Sequence, residues 1–162
     1  MPAVFIDRRQ VSFLNKPIEW TREQRLLHPS NGTDVYGLVP ELNFKSGPPF
    51  PAGAIYLKYG EHRGKHRGFG FQHIWREHCA HIASHDEAMS FVCKMVANAL
   101  RPNTAIYYEF GERLEVFSLR AGQVIIELAR TSVPETYSVV TAGYKPTYAK
   151  GSQVGALKRV EP

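Results

Sequence analysis

The sequence predicts an α+β fold: one or two helices packed on a roughly four-stranded antiparallel sheet, with an N-terminal extension. Two stretches of helical spacing between residues 71 and 100 come first, four stretches of period-two alternation between 104 and 142 follow, and the connections among the latter are short. With 162 residues and 43% hydrophobic content, the chain can build one domain with its own core.

Residues 1–52 alternate short apolar pieces with breakers, including Pro17, Pro29, Gly32, Pro40 and the run Ser46-Gly-Pro-Pro-Phe-Pro51. Breakers at that density disfavour long regular elements, so this part reads as an extension or cap with some strand character. Thr21 and Gln24 have capping-box spacing, which predicts a helical turn or more over 21–27. A strand is expected in Ala54-Ile-Tyr-Leu-Lys-Tyr59, followed by the glycine-punctuated basic loop Gly60-Glu-His-Arg-Gly-Lys-His-Arg-Gly68.

Phe71, Ile74, Trp75, Cys79 and Ile82 share one face at about 100° per residue, which predicts a helix over 71–82. A second helix should start at Ser84 or Asp86 as cap, bury Met89, Phe91, Val92, Met95, Val96 and Leu100, and end at Arg101-Pro-Asn. Strands follow in 104–110, 113–119, 123–129 and 136–142. Gly111-Glu112 and Arg120-Ala-Gly122 are short enough for hairpins, so three of the strands should form an antiparallel meander. The tail from Tyr144 to Pro162 has little periodicity and reads as a loop or partly ordered end. The expected division is an extension over 1–52, a main domain over 53–146 and a tail over 147–162.

The formal charge of +5 favours an anionic partner, without separating nucleic acid from an acidic protein. Cys79 and Cys93 are the two cysteines, both in helical contexts, so they read as small apolar side chains and not as a disulfide framework. The opening Met-Pro-Ala-Val-Phe-Ile-Asp-Arg-Arg lacks the apolar stretch of a secretory signal, and no run of about 18 apolar residues occurs. A soluble chain with no export signal of its own is expected.

His62, His66, His73, His78, His81 and His85 lie within 24 consecutive positions. A pair of imidazoles can take and give a proton near neutral pH, which makes this cluster the strongest chemical signal in the chain. His78, His81 and His85 have helical spacings of three and four, yet no His-Glu-x-x-His is present, and His81 and His85 read as solvated or helix-end residues. His73 and His78 are five apart, hence about 140° apart on a helix, so they point in different directions. His78 should look toward the sheet. His73 sits near the helix start, where unpaired N–H groups and the preceding Arg63, Lys65 and Arg67 could hold a phosphodiester without a metal. In the last strand, alternation puts Tyr137, Val139 and Thr141 on one face, and the Thr141 hydroxyl could donate to a nonbridging phosphate oxygen.

Tyr56-Leu-Lys-Tyr-Gly-Glu-His-Arg-Gly, Gly68-Phe-Gly-Phe-Gln-His-Ile-Trp-Arg-Glu-His78 and Val139-Val-Thr-Ala142 together resemble the barnase/EndoU/colicin/RelE-like (BECR) ribonuclease superfamily. The likeness is to its phage-encoded and polymorphic-toxin branches, including C-terminal domains of contact-dependent inhibition toxins. It covers roughly residues 53–146. The resemblance implies endonucleolytic transesterification without metal or cofactor, yielding a 2′,3′-cyclic phosphate and a 5′-OH. It implies His73 as leading base or acid, His78 as the second, and Thr141 as a phosphate or transition-state ligand. Arg63, Lys65, Arg67, Tyr137, Tyr144 and Lys145 would be substrate-binding residues. The implied substrate is tRNA or another structured RNA in a bacterial cytoplasm, with an acidic immunity protein as partner if the chain is a toxin delivered as part of a larger secreted protein. The alternatives are a non-catalytic nucleic-acid-binding protein and a phage structural or interaction protein of the same fold.

Overall fold

The computed structural model describes residues 19–45, 47–109, 117–143 and 152–160. Over these residues the chain is α+β, with two helices, a curled mixed sheet of seven strands and a separate two-stranded hairpin. The strands are β1 (Val35–Val39), β2 (Gly53–Tyr56), β3 (Glu61–Gly64), β4 (Arg67–Phe69), β5 (Ala105–Tyr108), β6 (Ser118–Ala121), β7 (Val124–Ala129), β8 (Thr136–Ala142) and β9 (Ser152–Ala156). The helices are α1 (Gly70–His78) and α2 (His85–Ala99).

The expected antiparallel meander is present as β5-β6-β7-β8, with Gly122-Gln123 turning β6 into β7 at the Ala121/Val124 pair. The four-stranded, purely antiparallel sheet is corrected in two ways. On one side β8 pairs in parallel with β2, through Ile55/Tyr137 and Tyr56/Ser138, and β2 in turn pairs with β1. On the other side β5 pairs with β9, drawn from the tail that its composition marks as loop. The two edges then meet, because the Lys158 N–H donates to the Leu38 carbonyl at 2.9 Å. This bridge joins the two edges at one point just past β9, and the curl of the sheet is what brings them within reach. The segment before residue 53 supplies β1 and buries Leu26, Tyr36, Val39, Leu42 and Phe50 in the same core as the meander. The sheet thus runs across the expected boundary at residue 52.

Two helix expectations are not met. The stretch at 21–27 makes one turn, Gln24 N–H to Thr21 carbonyl, and no helix. Helix α1 stops at His78, where the Trp75 indole N–H takes the Ile82 carbonyl at 2.8 Å and the Ile82 N–H takes the Cys79 carbonyl, folding the chain back on itself. Helix α2 starts as expected, with the Ser84 hydroxyl accepting from Glu87 N–H, and it buries Ala88, Val92, Cys93 and Val96. Phe91, expected inside, is 47% exposed. Cys79 and Cys93 are free and buried. The expected hairpin at Gly111-Glu112 lies outside the described residues.

Candidate functional site

Helix α1 packs on β8, on the β3/β4 hairpin and on α2, which gathers most of the histidines at one end of the fold. Its start is built differently from an open anion site. Residues Lys58 to Gly60 run directly beneath it, and the Phe71 and Gln72 N–H groups donate to the Lys58 and Tyr59 carbonyls, each at 2.9 Å. Two of the N–H groups that a phosphate would use are thus already taken. The flanking glycines serve that crossing. A Cβ at Gly60 would lie 1.9 Å from the Phe69 carbonyl oxygen and one at Gly70 2.5 Å from that of Lys58, both at positive φ. The expectation of a phosphate cradled at this helix start is therefore corrected.

The close contact within the cluster joins hairpin to helix. His62 on β3 faces Gly68 on β4 across the hairpin, and Gly68 has φ +137 with no side chain to fill the space beyond. Through that gap His73 of α1 reaches His62, Nδ1 to Nδ1 at 3.1 Å, with the rings stacked at 5.3 Å between centroids. A Cβ at Gly68 would stand 3.0 Å from the His73 Nδ1. Two ring nitrogens at this distance share one proton, one donating and the other accepting, so at least one ring is neutral. His73 is only 4% exposed. Burial holds its pKa below the ordinary histidine value, and His62, His78 and His66 push the same way against the opposing pull of Glu77. His73 is thus the inner, neutral member and half-buried His62 the outer one.

Glu77, one turn along α1, accepts from the His66 N–H at 3.4 Å and so ties the hairpin turn to the helix. His78, at the last position of α1, is exposed and does not look into the sheet as expected. Its ring lies beside Gly143, just past β8, where a Cβ would come 3.7 Å from the His78 Cγ. Thr141 is near this corner, but not by simple alternation. A bulge pairs Ile125 with Thr141 and Ile126 with Val139, which leaves Val140 as the extra residue, turns Thr141 to a half-buried position and gives the buried position to Ala142.

The expected substrate-binding residues divide. Arg63, Lys65 and Arg67 are exposed on the hairpin, Arg63 with an ion pair to Glu61 at 3.1 Å. Tyr137 is not available: it is fully buried, and its hydroxyl donates to the Pro51 carbonyl at 2.7 Å. Tyr144 and Lys145 lie outside the described residues. Because α1 ends at His78, the three histidines at 78, 81 and 85 share no helix face. His85 instead starts α2, with Tyr59 hydroxyl to Nε2 at 3.0 Å and edge contacts to Phe71 and Trp75. Among the described residues, no three His, Cys, Asp or Glu side chains gather as a metal-binding group. Among the same residues, no helix is long and apolar enough to cross a membrane.

Nothing local in the sequence marks His62 as the partner of His73. The signal is the glycine at 68, opposite His62 in a hairpin whose register the sequence does not spell out. Comparison of the chain with protein-family models, curated proteins and solved structures finds no match.

Proposed function

We propose that the chain is a metal-independent endoribonuclease, a toxin or phage effector that cleaves tRNA or another structured RNA by 2′-OH transesterification. The observation that carries this reading is the proton-sharing His62–His73 pair at 3.1 Å, set beside the exposed cations Arg63, Lys65 and Arg67. The cations draw in phosphates whatever the RNA sequence. His62 takes the ribose 2′-OH proton at Nε2 while its Nδ1–H donates to neutral His73, which fixes the tautomer and holds the ring. The 2′-oxygen bonds to phosphorus, the bond from phosphorus to the 5′-oxygen breaks, and protonated His78 gives its proton to that oxygen. Thr141 donates to a nonbridging oxygen as charge builds. The products are a 2′,3′-cyclic phosphate and a 5′-OH. In a toxin, an acidic immunity protein would cover the exposed cations of the hairpin.

Because the attacking group belongs to the ribose, one 2′-deoxy nucleotide placed at the cleaved position should abolish cleavage there and leave other sites cut. Cutting that continues at the deoxy position, or ends carrying a 5′-phosphate, would rule out this chemistry. The near-complete burial of His73 favours a second reading, a non-catalytic RNA-binding module in which the pair only fastens hairpin to helix. Equal RNA binding by the wild type and His62→Ala, with no cleavage by either, would select it.

A further inference from the structure

At the far end of α2, about 20 Å along its axis from His85, lies a cavity of about 570 Å3 unrelated to the histidine pair. Its floor is apolar and buried, formed by Tyr36 and Leu100 with half-buried Ala97 and Val160 beside them. Its rim carries Lys94, Arg101, Lys158 and Arg159, all exposed, and no carboxylate of the described residues lines it. Cations usually scatter among carboxylates on a protein surface, whereas four around one concavity set up a focused positive field.

The wall is also held in place. His28 Nδ1 accepts from the backbone N–H groups of Ser30 and Asn31, both at 3.1 Å, and its ring packs on Tyr36. With Nδ1 used as acceptor, the neutral ring carries its proton on Nε2, a fixed donor at the cavity wall. Asn31 donates to the Val35 carbonyl at 2.9 Å, and the Tyr36 hydroxyl donates to the Leu27 carbonyl at 2.7 Å. A volume in this range exceeds what inorganic phosphate fills and suits a small organic ligand.

We propose that this cavity binds a phosphorylated small molecule of mononucleotide size, its phosphate held by the rim cations and its ring body on the apolar floor. The site stands independently of the RNA-cleavage reading. The test is titration of the 15N-labelled full chain with 5′-AMP, adenosine or inorganic phosphate, followed by backbone amide shifts. The expected result is saturable shifts with 5′-AMP at Ser30, Asn31, Asn98 and Lys158, with adenosine and phosphate each about tenfold weaker or more. Substituting the two exposed residues Lys94→Gln and Arg159→Gln together should weaken 5′-AMP by about tenfold or more, leave the spectrum of the rest of the chain in place, and leave RNA cleavage unchanged. Adenosine binding as well as 5′-AMP, an unchanged affinity in the double variant, shifts confined to residues 61–69, or no shift at about 10 mM 5′-AMP would each overturn the proposal.

Discussion

Gly68 decides whether His62 and His73 can meet, since any side chain there must pass within 3.0 Å of the His73 Nδ1 and 2.3 Å of the Glu61 carbonyl oxygen at a φ that L residues avoid. Gly68→Ala should therefore break the shared proton before it breaks the fold. In imidazole 15N spectra the ring nitrogens of His62 and His73 should move to separate, uncoupled positions, and unchanged ring signals would show that the contact tolerates a Cβ. Burial also gives His73 and His28 pKa values below the ordinary 6.5. The unfolded chain then binds protons that the native rings refuse, so their contribution to stability is intact above about pH 6.5 and is lost as the pH falls below it. A urea midpoint that drops between pH 7.5 and 5.5, with a smaller drop in His73→Gln, is the expected outcome. The histidine cluster is legible in the sequence, because six of the rings fall within 24 consecutive positions. The partnership of His62 is not, because it depends on the hairpin register and on an empty space left by a glycine.

The elements differ in how much of their construction is local. Helix α2 begins where Ser84 and Glu87 have capping spacing, and the cap forms because both partners lie within one turn. Ser84→Ala should cost about 1 kcal/mol, lowering the thermal midpoint by about 2 to 4 °C. Helix α1 owes its start instead to the segment Lys58–Gly60, which lies between β2 and β3. Its first N–H groups bond Lys58 and Tyr59, and glycines at 60 and 70 let the two backbones cross. Gly60→Ala would put a Cβ 1.9 Å from the Phe69 oxygen, so it should destabilise the protein far more than Ser84→Ala, and a denaturation midpoint within error of wild type would contradict the crossing. Local pattern leaves the N–H groups of this helix start open to a phosphate, and only the position of the Lys58–Gly60 chain shows that two of them are taken. The end of α1 at His78 was hidden for a related reason, since its apolar spacing continues to Ile82 and tertiary bonds from Trp75 override it.

For the whole molecule, the meander was readable because its strands pair with neighbours through short turns, as Ala121 and Val124 do across Gly122-Gln123. The parallel β2–β8 pair and the tail strand β9 join residues far apart in the chain, and local pattern carries no information about such partners. That closure has a consequence for stability. Removing residues 152–162 would strip β5 of its outer partner, unpair the Leu38 carbonyl and expose core around Leu157. The truncated chain should lose cooperative unfolding or aggregate through the opened edge, and a sharp transition at the wild-type temperature would show that β9 is dispensable. The proposed cleavage depends on this body, because β8 carries Thr141, and the chain just past it Gly143, to the end of α1 where His78 lies. The most direct measurement is incubation of structured RNA in EDTA with the wild type and with His62→Ala, His73→Ala and His78→Ala variants whose circular dichroism matches wild type. Cleavage to 2′,3′-cyclic phosphate ends by the wild type is expected, with a loss of about 10² to 10⁴ in rate in the His62 and His78 variants and impaired cleavage by His73→Ala. RNA left intact by the wild type, or cut equally by all four proteins, would contradict the proposed cleavage.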